Sequence, residues 1–361
     1  MDMDNKIKIE ALLSGKVKIE TPDMKVYHEV KRRWDNAAKP LDSLGRFEDI
    51  TARVGAITRN ADIDIDKKAV IVMCADNGIV EEGVSQSGQE VTLAVSRAMG
   101  RRESSVCKMA SKAGMSVIPV DIGINSDERI DGVVHKKVCK GTRNFSVEPA
   151  MTRGEFLRAL QAGMDIACEA VNRGIKLICL GEMGIGNTTT SAAVVCALTG
   201  LSAKEAAGRG AGLDDGRLRK KVSVIEKAIE KYDLHNADAA CVLETVGGFD
   251  IAGMVGVMVG AALCRTPVVL DGVVSCAAAL AAVRMFPEIK NYLIASHMSS
   301  ERTAKYVFDE LKLMPVINAE MALGEGTGAV MMCALLDIAL TLYKDQLTFD
   351  DIEIEKYTRF V

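Results

Sequence analysis

The chain has 361 residues, of which 48% are hydrophobic and 26% charged, and its formal net charge at pH 7 is −4. This length and apolar content allow a sizeable hydrophobic core and argue against intrinsic disorder. The near balance of charge and the 4% of aromatic residues provide no basic surface for nucleic acid, no polybasic anchor for a membrane and no platform for stacking bases.

The first twenty residues alternate charged side chains with Ile and Leu and lack the apolar core of a secretion signal. The longest purely apolar run, residues 251–263, is shorter than a membrane span. We therefore expect a cytoplasmic protein without membrane partners. The ten cysteines occur singly and the four histidines are scattered, so we expect buried free thiols and predict no metal site.

Residues 1–60 have the pattern of helices. Short apolar runs rich in β-branched residues follow at 69–74, 115–120, 177–180, 267–270, 292–296 and 314–318. Their continuous apolar character is typical of strands covered on both faces. Ala-rich stretches between them, such as 156–171 and 191–198, are predicted to be helices. This alternation predicts an α/β fold with a mostly parallel sheet and flanking helices.

The two ends of the chain differ from its middle. Residues 329–345 are predicted to form a long apolar helix, and 346–361 an acidic and then basic tail. We expect both ends to pack together as a small helical subdomain, built from residues 1–60 and 330–361. Residues 61–329 would then form the large α/β catalytic domain.

Glycine and polar residues follow five of the predicted strands, at 75–78, 181–184, 271–272, 297–299 and 324–326. In an open α/β sheet, ligands bind beyond the carboxyl ends of the strands. The sequence therefore predicts one shared pocket built from these loops.

Residues 181–190 (GEMGIGNTTT) join a predicted strand to an Ala-rich helix. Glycines let the backbone approach an anion, and the start of a helix offers free N–H groups to a phosphate. Asn187 stands where a P-loop has lysine, which favours a monophosphate and disfavours an NTPase. Glu182 beside such a site suggests action on a ribose hydroxyl or a developing cation. The alternatives are a glycine-rich turn with a threonine cap and a first-turn acid favoured by the helix dipole.

Residues 323–328 (LGEGTG) surround one glutamate with three glycines. A carboxylate at the rim of an apolar pocket can have its pKa raised toward neutrality and act as a general base, a role that falls to Glu325. The helix after Thr327 would supply a second anion-binding end. A simple turn is the alternative, because a lone GxG is weak support for a site.

Residues 208–215 (GRGAGLDD) precede Lys220 and Lys221, whose charge could neutralise a phosphate. The sequence by itself favours another interpretation, in which Asp214 or Asp215 caps a helix and the lysines are solvated.

Residues 75–78 (ADNG) and 83–92 (GVSQSGQEVT) are polar loops in which Ser85 and Gln89 could bind a small heterocycle. A mobile polar loop is the commoner case.

Taken together and in this order, these segments resemble the nicotinate-nucleotide–dimethylbenzimidazole phosphoribosyltransferase family of cobalamin biosynthesis. The similarity covers roughly residues 25–345. Two glutamate-bearing glycine motifs in one chain are far more specific than either motif alone. The matching segments are 39–48, 181–189, 208–215, 247–252, 267–272, 296–301 and 323–329.

The resemblance implies a homodimer with a Rossmann-like large domain, a small domain made from both termini, and no cofactor or metal. It implies transfer of phosphoribose from nicotinate mononucleotide to 5,6-dimethylbenzimidazole or a similar base, giving α-ribazole 5'-phosphate and nicotinate for the nucleotide loop of a cobamide. The small-molecule substrates would be the only partners besides a second subunit.

The resemblance also implies roles for particular residues. Glu325 matches the general base of the family, and Glu182 matches a glutamate near the ribose. Phosphate and ribose binding are assigned to Gly184, Gly186, Asn187, Thr188, Gly210, Lys221 and Gly326. Binding of the acceptor base is assigned to Asp76, Ser85, Gln89 and Leu323.

Four positions depart from the family pattern. Asn77 replaces His, Gly88 replaces Pro, Ala322 replaces Arg, and residues 302–304 (RTA) replace Pro-Gly-His. Three of these changes border the acceptor pocket or its approaches, so a purine or phenolic acceptor stays an alternative. A nucleotide-binding sensor without turnover is a further alternative, against which the two retained glutamates speak.

Overall fold

The structure is a computed structural model that describes residues 8–359. Its main sheet contains the strands β1 (Lys68–Ala75), β2 (Ser116–Gly123), β3 (Val134–His135), β4 (Leu177–Met183), β5 (Val268–Leu270) and β6 (Leu293–Ala295). All neighbours in this sheet are parallel, in the order β3-β2-β1-β4-β5-β6. A second sheet pairs β7 (His297–Ser299) with β8 (Ile317–Met321), also in parallel.

Fourteen α-helices are present in the described residues. They are α1 (Ile9–Leu13), α2 (Met24–Asn36), α3 (Arg46–Thr58), α4 (Glu90–Gly100), α5 (Ser105–Lys112), α6 (Arg153–Asn172), α7 (Asn187–Thr199), α8 (Ala203–Ala206), α9 (Asp215–Lys231), α10 (Ala239–Val246), α11 (Phe249–Leu263), α12 (Val273–Met285), α13 (Arg302–Leu311) and α14 (Thr327–Asp345). Short 3₁₀ helices span Gly78–Glu82, Leu234–Asn236, Pro287–Tyr292 and Asp350–Ile352.

Both faces of the sheet are covered by helices, which explains the continuous apolar character of its strands. Along β1, Ile71 and Met73 enter the core formed with α6, α7, α10, α11 and α12. The intervening Val70, Val72 and Cys74 enter the opposite core, formed with α2, α3, α5 and α14. Successive side chains of a strand point to opposite faces, so one apolar run serves both cores.

Helices α6 and α11 approach each other closely because glycines lie at their interface. A methyl group on Gly163 would collide with the Gly253 carbonyl oxygen, and one on Gly256 with the Leu160 carbonyl oxygen. Every residue of α11 except the last is buried. This contact places α11, and the acidic residue at its start, beneath the carboxyl end of the sheet.

The chain leaves β1 toward β2 and β3 on one side of the sheet and returns to β4, β5 and β6 on the other. Ligands of open α/β sheets bind at the point where the strand order reverses in this way. Here that point lies between β1 and β4, whose carboxyl ends carry Asp76 and Glu182.

The predicted α/β class with a mostly parallel sheet is confirmed, and five of the six predicted strands lie in the main sheet. The sixth predicted strand, at 314–318, was wrong in position. The strand in that region is β8, which is largely exposed and pairs with β7 outside the main sheet. The two-residue β3 and three-residue β7 are too short to show a pattern. All ten cysteines are free, and eight are buried or partly buried, as expected.

The two ends of the chain are in contact. The backbone of Ala38 donates to Leu347 O at 2.9 Å, and that of Phe349 donates to Asn36 O at 3.2 Å. The ring of Trp34 lies 5.1 Å from that of Tyr343. The division of the chain at residues 60 and 330 stays a prediction, and its segments 1–7 and 360–361 lie outside the described residues.

Among the helices that the structure describes, α14 is long and apolar enough to cross a membrane by length and composition. Half of it is buried within the fold. Its Asp337 also forms an ion pair with Lys68 at 2.8 Å, next to the first strand of the sheet. These contacts are those of a core helix. The longest apolar helix is thus α14 rather than the segment 251–263.

Candidate active site

A cavity of about 220 Å³ opens at the carboxyl end of the main sheet. It is lined by residues 84–86, 181–188, 271–275 and 322–324, and by parts of 209–213 and 297–301. The predicted convergence of strand-end loops on one pocket is therefore what the fold produces. The loop after β1 contributes residues 84–86 to the lining of the cavity, and not the predicted residues 75–78.

The predicted site residues divide into two groups. Those that line the cavity are Ser85, Glu182, Gly184, Gly186, Asn187, Thr188, Gly210 and Leu323. Those outside the lining are Asp76, Gln89, Lys221, Glu325 and Gly326. Of this second group, Lys221 donates a hydrogen bond to Thr188, and Glu325 and Gly326 lie against Gly181 of the lining.

Glu182 stands at the end of β4, partly exposed at the wall of the cavity. Its Oε2 accepts a hydrogen bond from Asn187 Nδ2, and the same nitrogen donates to Asp250 Oδ2 at 3.0 Å. Burial raises the pKa of the Glu182 carboxyl to about 8, and the charges of Asp250 and Asp271 act in the same direction. The hydrogen bond from Asn187 acts in the opposite direction and lowers the pKa of Glu182.

Glu325 lies in a loop where three successive residues have left-handed backbone, with φ of 83° at Gly324, 60° at Glu325 and 93° at Gly326. Its Oε2 accepts a hydrogen bond from the backbone N–H of Val106 at 3.0 Å. Val106 lies in the first turn of α5, where free N–H groups attract a carboxylate. The proposed base therefore faces a helix start in this conformation.

Asp271 follows β5 and is buried. Its carboxylate accepts from the backbone N–H groups of Gly326 at 3.2 Å, Gly328 at 2.8 Å and Ala329 at 3.1 Å. Burial raises its pKa to about 6, against the effect of these hydrogen bonds.

The predicted second anion-binding end at α14 is therefore filled from within the protein, because the carboxylate of Asp271 already satisfies the free N–H groups there. The Gly326 N–H is one of these donors. A role for Gly326 in substrate binding stays a prediction. Its N–H group already donates to Asp271, so it could bind a substrate only by giving up that hydrogen bond.

Lys221 is completely buried beside Thr188 of the cavity lining. Its Nζ donates to Thr188 Oγ1 and to the Gly208 carbonyl, each at 3.0 Å. Burial lowers its pKa to about 8, while Glu301 favours its charged form. The interpretation of this lysine as solvated was wrong, because α9 turns it inward; its neighbour Lys220 is exposed.

Gly210 and Glu301 meet at the same end of the cavity. The Gly210 N–H donates to Glu301 Oε1 at 2.8 Å, and the other carboxylate oxygen lies against Gly208. Asp214 caps α9 by accepting from the Arg217 N–H at 2.8 Å, which is the helix cap that the sequence allowed.

Two of the residues assigned to the acceptor base hold a neighbouring loop. Asp76 Oδ2 accepts from the Asn125 backbone N–H, and Gln89 Oε1 accepts from Asn125 Nδ2, each at 2.7 Å. Ser85 and Leu323 line the cavity, and Leu323 is 58% exposed. The cavity is thus open to solvent at Leu323.

Three acidic residues of the site had been assigned no role from sequence: Asp250, Asp271 and Glu301. Asp271 carried a signal, since it directly follows a predicted strand. Asp250 follows two glycines at a helix start, and Glu301 follows the loop after β7. In residues 8–359, no three His, Cys, Asp or Glu side chains are grouped as a metal site would require.

The chain was compared with known proteins. Residues 19–354 match the sequence profile of a family described as Phosphoribosyltransferase. A relative from Acetivibrio thermocellus, named nicotinate-nucleotide–dimethylbenzimidazole phosphoribosyltransferase, is 46% identical over 328 residues, or 91% of this chain and 93% of the relative. A relative of the same name from Clostridium acetobutylicum is 42% identical over 351 residues, or 97% of this chain and 99% of the relative.

The fold has a close counterpart among solved structures. The crystal structure of CobT from Thermus thermophilus superimposes with a TM-score of 0.87 at 34% sequence identity, over 92% of this chain and 100% of that one. Sequence similarity and fold therefore agree over almost the whole length. On this basis the chain belongs to the nicotinate-nucleotide–dimethylbenzimidazole phosphoribosyltransferase family.

Proposed function

We propose that the protein transfers phosphoribose from nicotinate mononucleotide to 5,6-dimethylbenzimidazole or a similar base, giving α-ribazole 5'-phosphate and nicotinate for the nucleotide loop of a cobamide. The observation that carries the proposal is the position of Glu182, on the wall of a cavity that also contains a glycine-rich helix start and has a buried lysine behind Thr188. The names of the full-length relatives support the same reaction.

The chemistry needs positioning more than it needs a metal. A ring nitrogen of the acceptor attacks C1′ of the ribose as the bond from C1′ to the pyridinium nitrogen breaks, and the electron pair of that bond neutralises the departing nicotinate ring. The acceptor loses its N–H proton to a carboxylate. Alignment of two reactants can supply about 7–11 kcal/mol at its upper end, and a well-placed base roughly a hundredfold in rate.

We propose that Glu325 accepts the N–H proton of the acceptor and that Glu182 contacts the ribose. The two carboxylates belong to adjacent loops, and the charge of Glu325 is felt at Glu182. For Glu325 to act as the base, its side chain must exchange the Val106 N–H for the acceptor. Hydrogen bonds of catalytic groups often reorganise when substrate binds.

The phosphate is assigned to the start of α7 and to the loop before α9. Gly186 has a φ of 93° at the start of α7, where the N–H groups of Asn187 and Thr189 donate to the Gly184 and Gly186 carbonyls, and Gly184 lies so close to the Ala75 carbonyl oxygen that no side chain would fit. Thr188 and Gly210 complete this side, with Lys221 as the charge behind it, and the Asn187 carbonyl oxygen is assigned to a ribose hydroxyl. Asp76, Ser85, Gln89 and Leu323 are assigned to the acceptor.

We infer that the protein is a cytoplasmic homodimer. Helix α14 carries an exposed apolar stripe formed by Met331 (41% exposed), Leu335 (41%), Ile338 (67%) and Leu342 (43%), at the spacing of one helix face. Such a patch usually marks an interface. The segments 1–60 and 330–361, proposed as the small subdomain, would then carry the dimer contact. Light scattering should give twice the chain mass, and Ile338→Lys should reduce it.

The reaction is tested by incubating the protein with nicotinate mononucleotide and a panel of benzimidazoles, purines and phenols, followed by chromatography of the products. Release of nicotinate with a benzimidazole, together with an α-ribazole phosphate, is the expected result. Glu325→Gln, which lacks the proposed base, serves as the low-activity control. A panel in which no base releases nicotinate would refute the proposed function, and preference for a purine or phenol would correct the acceptor.

A further inference from the structure

Asp250 is an acidic residue without solvent exposure at the start of α11, and the reaction as proposed does not use it. Its Oδ1 accepts from the Ile251 N–H at 3.0 Å, and its Oδ2 accepts from Asn187 Nδ2 at 3.0 Å. The side chain of Asn77 also lies close to this carboxylate. A methyl group added to Gly248 would collide with both the Asp250 and the Asn77 side-chain oxygens. The carboxylate is therefore held on three sides.

The Asn187 amide joins Asp250 to Glu182. An amide nitrogen has two protons to donate, and here one goes to each carboxylate. A substrate oxygen could bond this nitrogen only by displacing Glu182 or Asp250. Asn187 is therefore a bridge between two acids, with its carbonyl oxygen as the polar atom left for a ligand.

Two carboxylates on one nitrogen in a desolvated place cannot both ionise without cost. The other acidic groups that face Glu182 are Asp271, from the end of β5, and Glu325, from the loop before α14. Lys221 lies at the phosphate end, bonded to Thr188 rather than to this pair. The surroundings of the pair thus favour retention of one proton.

We propose that Asp250 is a positioning residue whose negative charge, held beside Glu182 by the shared Asn187 amide, keeps a proton on Glu182. Glu182 then meets the nucleotide as a neutral carboxyl that donates a hydrogen bond to the ribose, rather than as a second negative charge beside the phosphate. This inference rests on the proposed function and deepens it, since it explains why an acid lies beside a phosphate site. Burial raises the pKa of Asp250 to about 6 and that of Glu182 to about 8, so the proton resides mainly on Glu182.

The direct test is a ¹³C NMR titration of the glutamate carboxyls in the full-length protein without substrate, with Glu182 assigned by its loss in Glu182→Gln. In the wild type, Glu182 should titrate well above ordinary glutamates, and in Asp250→Asn it should titrate roughly one pH unit lower. Asn keeps the shape and an acceptor oxygen, and only the charge is lost. Asp238→Asn, which alters a similar helix cap at α10, is the matched control and should leave Glu182 unchanged.

Nucleotide affinity gives a second readout. At pH 8 the dissociation constant of nicotinate mononucleotide should increase up to about fivefold in Asp250→Asn, because the neutral fraction of Glu182 falls from about one half to about one tenth, whereas at pH 7 the increase should stay below about twofold. Adding Glu182→Gln to Asp250→Asn should remove this increase. If Glu182 titrates at the same pH in the wild type and in Asp250→Asn, the proposal is overturned.

If Asp250→Asn does not fold, the wild-type titration still decides. A coupled pair gives a Glu182 curve with two inflections, the lower one where Asp250 ionises. A single step at ordinary glutamate pH would overturn the inference. A protein that shows the coupled titration but releases no nicotinate with any base would leave the inference standing and refute only the proposed reaction.

Discussion

Gly181 and the backbone carbonyl of Glu325 lie in direct contact, so closely that a methyl group on Gly181 would collide with that oxygen. This contact joins the two glutamate-bearing glycine motifs, which are far apart in the sequence. Gly326 completes it, since a side chain there would meet Val70 and the Leu180 carbonyl. The loop that carries Glu325 is thus seated directly on β4, one residue before Glu182.

Gly181→Ala should therefore destabilise the protein and lower turnover together. The added methyl group pushes β4 and the Glu325 loop apart, and overpacking of this kind costs about 1–3 kcal/mol. Chemical denaturation and nicotinate release measure the two effects. Gly154→Ala, at an exposed position with room for a methyl group in the first turn of α6, is the matched control and should leave turnover unchanged while raising stability by at most about 1 kcal/mol, because Ala favours a helix over Gly. Wild-type stability in Gly181→Ala would show that the loop adapts without cost.

Glu325→Gln should lower turnover by roughly a hundredfold or more while nucleotide affinity changes little, since the base acts on the acceptor and not on the phosphate. Gln can still accept the Val106 N–H, so α5 should keep its start and the thermal midpoint should move by only a few degrees. Single-turnover kinetics and calorimetric binding separate the two quantities. Glu320→Gln, an exposed glutamate on β8, is the control. Unchanged turnover in Glu325→Gln would remove Glu325 from its assigned role.

Glu301→Gln should tighten the binding of inorganic phosphate and of nicotinate mononucleotide by several-fold. The Glu301 carboxylate occupies the Gly210 N–H and adds negative charge where the phosphate is assigned, so an incoming anion must compete with it. Isothermal titration calorimetry at constant ionic strength measures the change. Glu310→Gln on α13, an exposed residue paired with Arg284, is the control. Weaker binding in Glu301→Gln would mean that Glu301 instead supports the bound ligand.

Lys221→Met should weaken nucleotide binding by roughly ten- to a hundredfold, since hydrogen bonds to charged groups contribute about 1.5–3 kcal/mol. The lysine pKa of about 8 also sets a pH dependence. Because the charged form binds the phosphate, this contribution is complete well below pH 8 and is lost as the pH rises through 8. Lys220→Met, on the exposed side of α9, should leave affinity nearly unchanged. Equal losses in the two variants would place the phosphate elsewhere.

The order of elements could be predicted from the chain because apolar runs such as 177–180 must be covered on both faces, and helices between them lead to parallel strands. The loops that follow these strands were also identifiable. Residue type and spacing suffice for such features, since they depend on local backbone preferences and on burial. The same reasoning failed at 314–318, because this apolar run leads into β8, a largely exposed strand outside the main sheet.

The sequence by itself determined the fold class, the strand-end pocket and the residue types available to it, including Glu182 and Glu325. Only the tertiary structure decided what each acid contacts. Glu325 meets Val106 from 219 residues away, and Glu301 meets Gly210 from 91 residues away. Hydrogen-bond partners at such separations depend on strand order and on how loops meet at one edge of the sheet, which no local pattern encodes. The Asn187 amide shared by Glu182 and Asp250 is a property of that meeting point.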